Sequence, residues 1–364
     1  MKVQFFDVPA QFKALENEIG NSLKVVFDRG DFIQGEEVKT LEDTFENKLG
    51  TKCVTVGNGT DALYIALKAL GIGPGDEVIT PSFTWVSTVE AIKLSGAKPI
   101  YCDINYETFN IDENLIEEKI TSSTKAVMTV SLYGQCPNLK EIKNLTEKKD
   151  IFLIEDAAQS FGAEHFGNLS CSIADISTTS FFPTKPLSCF GDGGAIFSKD
   201  EELIQKANIL SKNGQSGRYN YLDVGVNSRL DTIQAAIILE KLKIFDSENK
   251  RKQEIASKYD SILSDIDGIT VPKILKQNKS VYALYTLKIA SKQRDKVKEH
   301  LLANDIPCGI YYPLGLHQTK PYLHDISLPV TDNVCSQVLS IPMHPYLTDE
   351  DIEHITDTFK NFFQ

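Results

Sequence analysis

Apolar positions along this chain fall into two alternating rhythms. Short β-rich runs (KCVTV from Lys52, EVITP from Glu77, PIYCDI from Pro99, AVMTVSLYG from Ala126 and IFLIED from Ile151) alternate with stretches at helical spacing, such as DALYIALKAL, TVEAIKLSG and LKEIKNLTEKK. That alternation predicts an α/β fold with a mostly parallel sheet and helices on both faces. Ligands in such sheets bind beyond the carboxyl ends of the strands. The first 39 residues are mixed in pattern, and FIQGEEVKTLEDTFENKLG reads as a turn at Gly35 followed by an amphipathic helix. GIGPGDEVITP places its glycines after a helix and before a strand, so it is a helix end and turn and not a dinucleotide fingerprint.

After GGAIFSKD the pattern is helical (EELIQKANILSKNG). A polar loop, GQSGRYNYLDVGVNSRLD, then leads into TIQAAIILEKLKIF, which runs on through DSENKRKQEIASKYDSIL. The boundary is expected inside this long helix near Asp246, giving a large domain over 1–245 and a smaller α+β domain over 246–364. In the second part SVYALYTLKI and CGIYYP read as strands and DKVKEHLLAND as a helix. A terminal helix starts at Thr348, with Thr348 and Asp351 at capping-box spacing.

Composition narrows the partners. A chain of 364 residues with 41% hydrophobic and 24% charged residues has the make-up of an ordinary globular protein, long enough for a substantial core. A formal net charge of −12 argues against nucleic acid or an anionic membrane surface as partner. No apolar run reaches the ~18 residues that span a bilayer, and MKVQFFDVPAQ lacks the features of a signal peptide. The seven cysteines show no CxxC pairing and the six histidines no HxxxH or HxH, so reduced core cysteines, a cytoplasmic location and no metal site are expected.

Candidate chemistry centres on STTSFFPTKPLSCFGDGGA, which holds one lysine, Lys185, between Pro183 and Pro186. A desolvated lysine amine loses its proton near neutral pH and attacks an aldehyde. Asp156, at the tip of a predicted strand, is placed to keep a pyridine nitrogen protonated. A lysine Schiff base with an acidic partner is what pyridoxal 5'-phosphate (PLP) requires of a protein. Gly57-Asn58-Gly59-Thr60, between a strand and a helix, offers free N–H groups and a positive dipole end to a phosphate. The same turn also reads as a plain connection capped by Thr60 or Asp61. Trp85, the only tryptophan, follows a strand where a flat ring can stack on a pyridine, or simply pack in the core. Arg229, two residues after Asn227, can clamp a carboxylate or join a surface ion pair.

Taken together, GNGTDAL, GPGDEVITPSFTWVST, IEDAAQSFGA, TSFFPTKPLSCFGDGGA and VGVNSRLDTIQAAIL resemble the DegT/DnrJ/StrS family of PLP-dependent nucleotide-sugar aminotransferases, over nearly the whole chain and in order. The resemblance implies the aspartate-aminotransferase fold (PLP fold type I) and a homodimer with shared active sites. It implies that Lys185 carries PLP and moves the proton, that Asp156 pairs with the ring nitrogen, and that Gln159 lies near the ring hydroxyl beneath Trp85. Gly59, Thr60, Asp61 and Ser180 would surround the phosphate, with Asn227 reaching it from the second subunit. VSLYGQC, SFFPTKPL, RYNYLDVGVNSRLD and SIPMHPYL are most similar to the WbpE-like branch. This implies transfer from L-glutamate, through pyridoxamine 5'-phosphate and with release of 2-oxoglutarate, to the 3-keto carbon of a UDP-linked N-acetylglucosaminuronic acid for O-antigen polysaccharide. Arg229 would then serve both carboxylates, with Tyr312 and His317 as sugar contacts. The alternatives are the same chemistry on a dTDP-3-keto- or 4-keto-6-deoxyhexose, and a PLP-binding regulator without turnover.

Overall fold

The computed structural model describes residues 3–364. Its central sheet has seven strands: β1 (Lys52–Val56), β2 (Glu77–Pro81), β3 (Lys98–Cys102), β4 (Thr124–Val130), β5 (Phe152–Asp156), β6 (Ile176–Ser180) and β7 (Gly194–Ser198). They lie in the order β1-β7-β6-β5-β4-β2-β3. The pairs β2–β3, β2–β4, β4–β5 and β5–β6 are parallel, whereas β7 runs antiparallel to both β6 and β1. Every strand except β7 therefore ends at the same edge of the sheet, which is where Asp156 and Ser180 sit.

The sheet is covered on both faces, as continuous apolar strands demand. Alternate residues point to opposite cores: Val78, Met128 and Ile154 pack with α4 (Gly59–Ala69), α5 (Val86–Leu94) and α7 (Glu201–Ser211). Ile79, Val127 and Leu153 pack on the other side with Leu139 and Ile142 of α6 (Leu139–Lys149). On that side Phe45 of α3 (Glu36–Leu49) meets Phe161, Phe181 and Phe197.

Two helices precede Gly35 where the pattern gave only a mixed segment: α1 (Val8–Ala14) and α2 (Glu16–Arg29). In α2 only Ile19 and Val26 are fully buried, and Leu15, Ile19 and Leu23 pack at helical spacing against Ile237 of the long helix that follows. Asn58, and not Thr60 or Asp61, caps α4; its Oδ1 accepts from the Asp61 N–H at 2.8 Å.

Helix α8 (Thr232–Leu263) passes unbroken through Asp246. Its partners change along its length: Phe245 belongs to the core under the large sheet, and Ile255 and Tyr259 to a second core. That second core holds a three-stranded antiparallel sheet (Ile269–Thr270, Tyr285–Ile289, Val338–Ile341) with α9 (Ser291–Ala303) and α10 (Asp349–Phe363). Thr348 and Asp351 form the expected capping box, at 3.0 and 3.1 Å. CGIYYP is not a strand. It keeps one bridge, Gly309 to Ser340, because Tyr311 and Tyr312 turn away to pack near Phe83 and Tyr133 at the edge of the large sheet.

Candidate active site

Strand β5 delivers two carboxylates to opposite faces. Glu155 is fully buried among Ser131 Oγ (2.7 Å), Ser170 Oγ (2.8 Å) and the Cys171 N–H (2.9 Å). Asp156 faces the strand-end crevice, where Oδ2 accepts from the Thr88 hydroxyl at 2.8 Å and Oδ1 from the Ala158 N–H at 3.2 Å. Burial raises the Asp156 pKa, and these donors together with the charge of Lys185 draw it back. Lys185 shows the reciprocal effect. Burial lowers its pKa below the ordinary lysine value, opposed only by the negative charge of Asp156. The two groups thus share one desolvated crevice, in which the amine is biased towards its neutral, nucleophilic form.

The loop carrying Lys185 is held from several sides. Its N–H donates to the Phe182 carbonyl at 2.9 Å, and the Cys189 N–H donates to the Phe181 carbonyl at 2.7 Å. Lys241 of α8, itself buried, donates to Ser188 Oγ at 3.0 Å and lies 4.0 Å above the Phe190 ring. A lysine on such a loop loses little further entropy when its amine is engaged.

Trp85 caps α5 in an extended conformation and stays 55% exposed, with its ring centroid 6.2 Å from that of Tyr312. Gln159 is tied at both ends of its amide: Oε1 accepts from the Tyr133 N–H at 2.9 Å, and Nε2 donates to the Tyr312 hydroxyl at 3.3 Å. Tyr312 is therefore part of the wall beside Gln159, and burial raises its pKa.

At the other end of the crevice, a Cβ on Gly59 would lie 2.7 Å from Ser180 Cβ, so only glycine allows β6 to approach the start of α4 this closely. Asn58 takes the Asp61 N–H with its side chain and the Ala62 N–H with its carbonyl. The N–H groups of Gly59 and Thr60 have no intrahelical acceptor and are left for a ligand. A tetrahedral dianion fits this place beside Ser180 Oγ.

Three of the expected residues lie apart from this crevice. His317 is 2% exposed, with Nδ1 2.8 Å from Ser82 Oγ and Nε2 3.4 Å from Asp332, so both nitrogens are engaged inside the protein and prop the turn that carries Trp85. Arg229 opens into a cavity of about 630 Å³ shared with Gln34, Lys212 and Arg218, whereas Lys185 borders a different one. Asn227 is exposed and bridges to Lys212. Its neighbour Ser228 accepts the Gly57 N–H at 2.9 Å, which ties this loop to the phosphate turn. The sequence reading passed over Thr88, Tyr133 and Ser228. The one signal available was the place of Thr88 in the same helical turn as Trp85.

The residues present fit PLP: an anion cradle that a Cβ would fill, a depressed-pKa lysine, a carboxylate held by donors, and an exposed indole at the rim. Comparison with known proteins agrees. Residues 13–360 match the model of the DegT/DnrJ/EryC1/StrS aminotransferase family. UDP-2-acetamido-2-deoxy-3-oxo-D-glucuronate aminotransferase of Pseudomonas aeruginosa is 46% identical over 362 residues, covering 99% of this chain and all of that one. The crystal structure of S. venezuelae DesV in complex with a ketimine intermediate superposes with a TM-score of 0.97 at 33% identity, covering 100% and 99% of the two chains. Ntda from Bacillus subtilis, with PMP bound as its cofactor, gives 0.94 at 31% identity over 100% and 85%. The chain belongs to the DegT/DnrJ/EryC1/StrS aminotransferase family.

Proposed function

We propose that this aminotransferase uses PLP on Lys185 to move the amino group of L-glutamate to the 3-keto carbon of a UDP-linked 2-acetamido-2-deoxy-hexuronic acid. The product would be an amino sugar for surface polysaccharide of the O-antigen type. The observation that carries the chemistry is the meeting of a desolvated Lys185 with Asp156 at one end of a crevice and a glycine-built anion cradle at the other. The substrate class rests on the 46% identity to the Pseudomonas enzyme.

When bound, PLP supplies an electron sink next to the carbon that loses its proton. Lys185, on a braced loop and biased by burial towards the neutral amine, would take that proton and return it at the neighbouring carbon. Asp156 would hold the ring nitrogen in its protonated form. Gly59, Thr60 and Ser180 would fix the phosphate, Asp61 having given its N–H to Asn58, and Trp85 would cover the ring. Arg229 and Asn227 act on the crevice of a second copy of the chain, where a guanidinium meets first the glutamate carboxylate and then the uronate.

Exposed apolar side chains support the dimer. Phe27 (55%), Phe32 and Ile33 lie near the end of α2, and Tyr219, Leu222 and Val224 (84%) lie on the loop before Asn227. A patch of this kind marks an interaction surface. No helix among the described residues is long and apolar enough to cross a membrane. The cytoplasmic setting rests on the seven cysteines, all free thiols.

The test is a half-reaction. The pyridoxamine form, made with glutamate, is mixed with the UDP-3-keto uronic acid or with a dTDP-keto-6-deoxyhexose, and the return of PLP absorbance is timed. Faster turnover of the uronic acid supports the proposal, and preference for the deoxyhexose replaces it. No absorbance change with glutamate would indicate a PLP-binding protein without turnover.

A further inference from the structure

We propose that Thr88 is the positioning residue for Asp156, its hydroxyl fixing the carboxylate in the one orientation from which it can serve the cofactor's ring nitrogen. This rests on the role assigned to Asp156 above.

Asp156 is only 5% exposed, and each of its oxygens accepts one bond: Oδ1 from the Ala158 N–H at 3.2 Å and Oδ2 from the Thr88 hydroxyl at 2.8 Å. The backbone donor comes from Asp156's own loop and moves with it. Thr88 comes from a different element, the first turn of α5, and so fixes the carboxylate relative to the rest of the crevice.

The direction of that bond follows from the ionised state that the role of Asp156 requires. Thr88 Oγ1 also lies 3.0 Å from Thr84 Oγ1, and both threonines are buried. A hydroxyl carries one proton, and an ionised carboxylate can only accept. Thr88 must therefore donate to Asp156, which leaves its lone pairs to accept from Thr84. The resulting relay, Thr84 to Thr88 to Asp156, favours the charged carboxylate in a place where burial opposes it. A β-branched side chain also has few rotamers in a helix, so the hydroxyl is held in place before any ligand arrives.

Trp85, at the cap of the same helix, lies between the two threonines in sequence. One turn of chain thus presents the ring-covering indole and orients the acid, so a shift of α5 would move both together. Asp156 faces other groups as well: Lys185 across the crevice and the Tyr312 hydroxyl beside it. Neither replaces Thr88: Lys185 is to be consumed as the attachment point, and the Tyr312 hydroxyl, which accepts from Gln159 Nε2, makes no hydrogen bond to Asp156, whose oxygens take Thr88 and Ala158.

The experiment compares the affinity of the full-length apoprotein for PLP and for its 1-carba analogue, which has C–H in place of the ring nitrogen. Thr88→Val keeps the shape and removes the hydroxyl. Loss of a hydrogen bond to a charged group predicts PLP binding weakened on the order of ten- to a hundredfold. Binding of the carba analogue should be unchanged, and Thr88→Ser should restore PLP binding. Equal weakening for both ligands would show that Thr88 only packs, and no weakening for PLP would equally overturn the inference. Asp156→Asn separates the two levels. If it fails to discriminate PLP from the analogue as the wild type does, the role of Asp156 stands. If it discriminates unchanged, that role falls and takes the inference with it. Should Thr88→Val not fold, Thr84→Val reads the same relay from outside, with a smaller loss for PLP and none for the analogue. An equal effect on both ligands there would also overturn it.

Discussion

Gly59 and Ser180 lie far apart in the sequence yet come so close that a methyl group on the first would be 2.7 Å from Cβ of the second. This contact brings the hydroxyl of β6 to the start of α4 and closes the anion cradle. Gly59→Ala must push the helix start away from the strand, because the obstructing atom is next to the backbone and cannot swing aside. The expected outcome is at least a tenfold loss of PLP affinity in the apoprotein, with overpacking costing about 1–3 kcal/mol in stability. Titration of the apoprotein with PLP and with pyridoxal, which lacks the phosphate, checks the site: affinity for pyridoxal should change much less.

Glu155 serves the fold, whereas its neighbour Asp156 faces the strand-end crevice. Glu155 is buried, and its oxygens collect Ser131, Ser170 and the Cys171 N–H. Glu155→Ala leaves those donors without an acceptor, each at a cost of about 1–3 kcal/mol where water does not enter. Thermal unfolding of the apoprotein should show one of the largest drops in Tm for any single substitution on β5. Glu155→Gln, which keeps one acceptor oxygen, should fall between the two. A Tm for Glu155→Ala equal to wild type would mean that water replaces the carboxylate.

How far the sequence could be read depended on which interactions are local. Strands β2 to β5 were visible because their apolar runs are continuous, Asp156 because it ends such a run, and Lys185 because it is the one lysine of its stretch, set between two prolines. The cap of α4 was misplaced since Asn58, Thr60 and Asp61 are all good caps within four residues, and only the coordinates show which oxygen meets an N–H. CGIYYP has strand composition, but packing of Tyr311 and Tyr312 towards Phe83 and Tyr133 outweighs its β propensity. His317 could not be placed from its neighbours in sequence. What fixes it is Ser82, 235 residues earlier.

Two buried lysines on α8 predict an effect of pH on stability. Lys241 and Lys252 are 2% and 6% exposed, and burial lowers the pKa of each to about 8, from the ordinary 10.5. Between those values the unfolded chain binds more protons than the folded one. These sites therefore destabilise the protein at pH 8 and below, and the penalty fades as pH rises towards 10.5. Lys252→Met removes one of them. The gap in unfolding free energy between variant and wild type should shrink by on the order of 1–3 kcal/mol from pH 7.5 to 10. Urea unfolding at a series of pH values measures it. A gap independent of pH would show that the Lys252 amine is as well solvated in the folded protein as in the unfolded chain.

The proposed action of Arg229 on the crevice of a second copy of the chain predicts complementation between subunits. If each active site draws Lys185 from one chain and Arg229 from the other, Lys185→Ala and Arg229→Ala proteins are each inactive in every site they form alone. In a mixed dimer one site collects both lesions and the other collects neither. Random exchange makes half of the dimers mixed, so about a quarter of all sites should recover wild-type kcat and KM. Restoring activity by mixing, followed by titration of the active sites with glutamate, gives that fraction directly. If Arg229 acted within its own chain, every site in the mixture would still carry one lesion, and no mixing ratio would raise the activity above the sum of the parts.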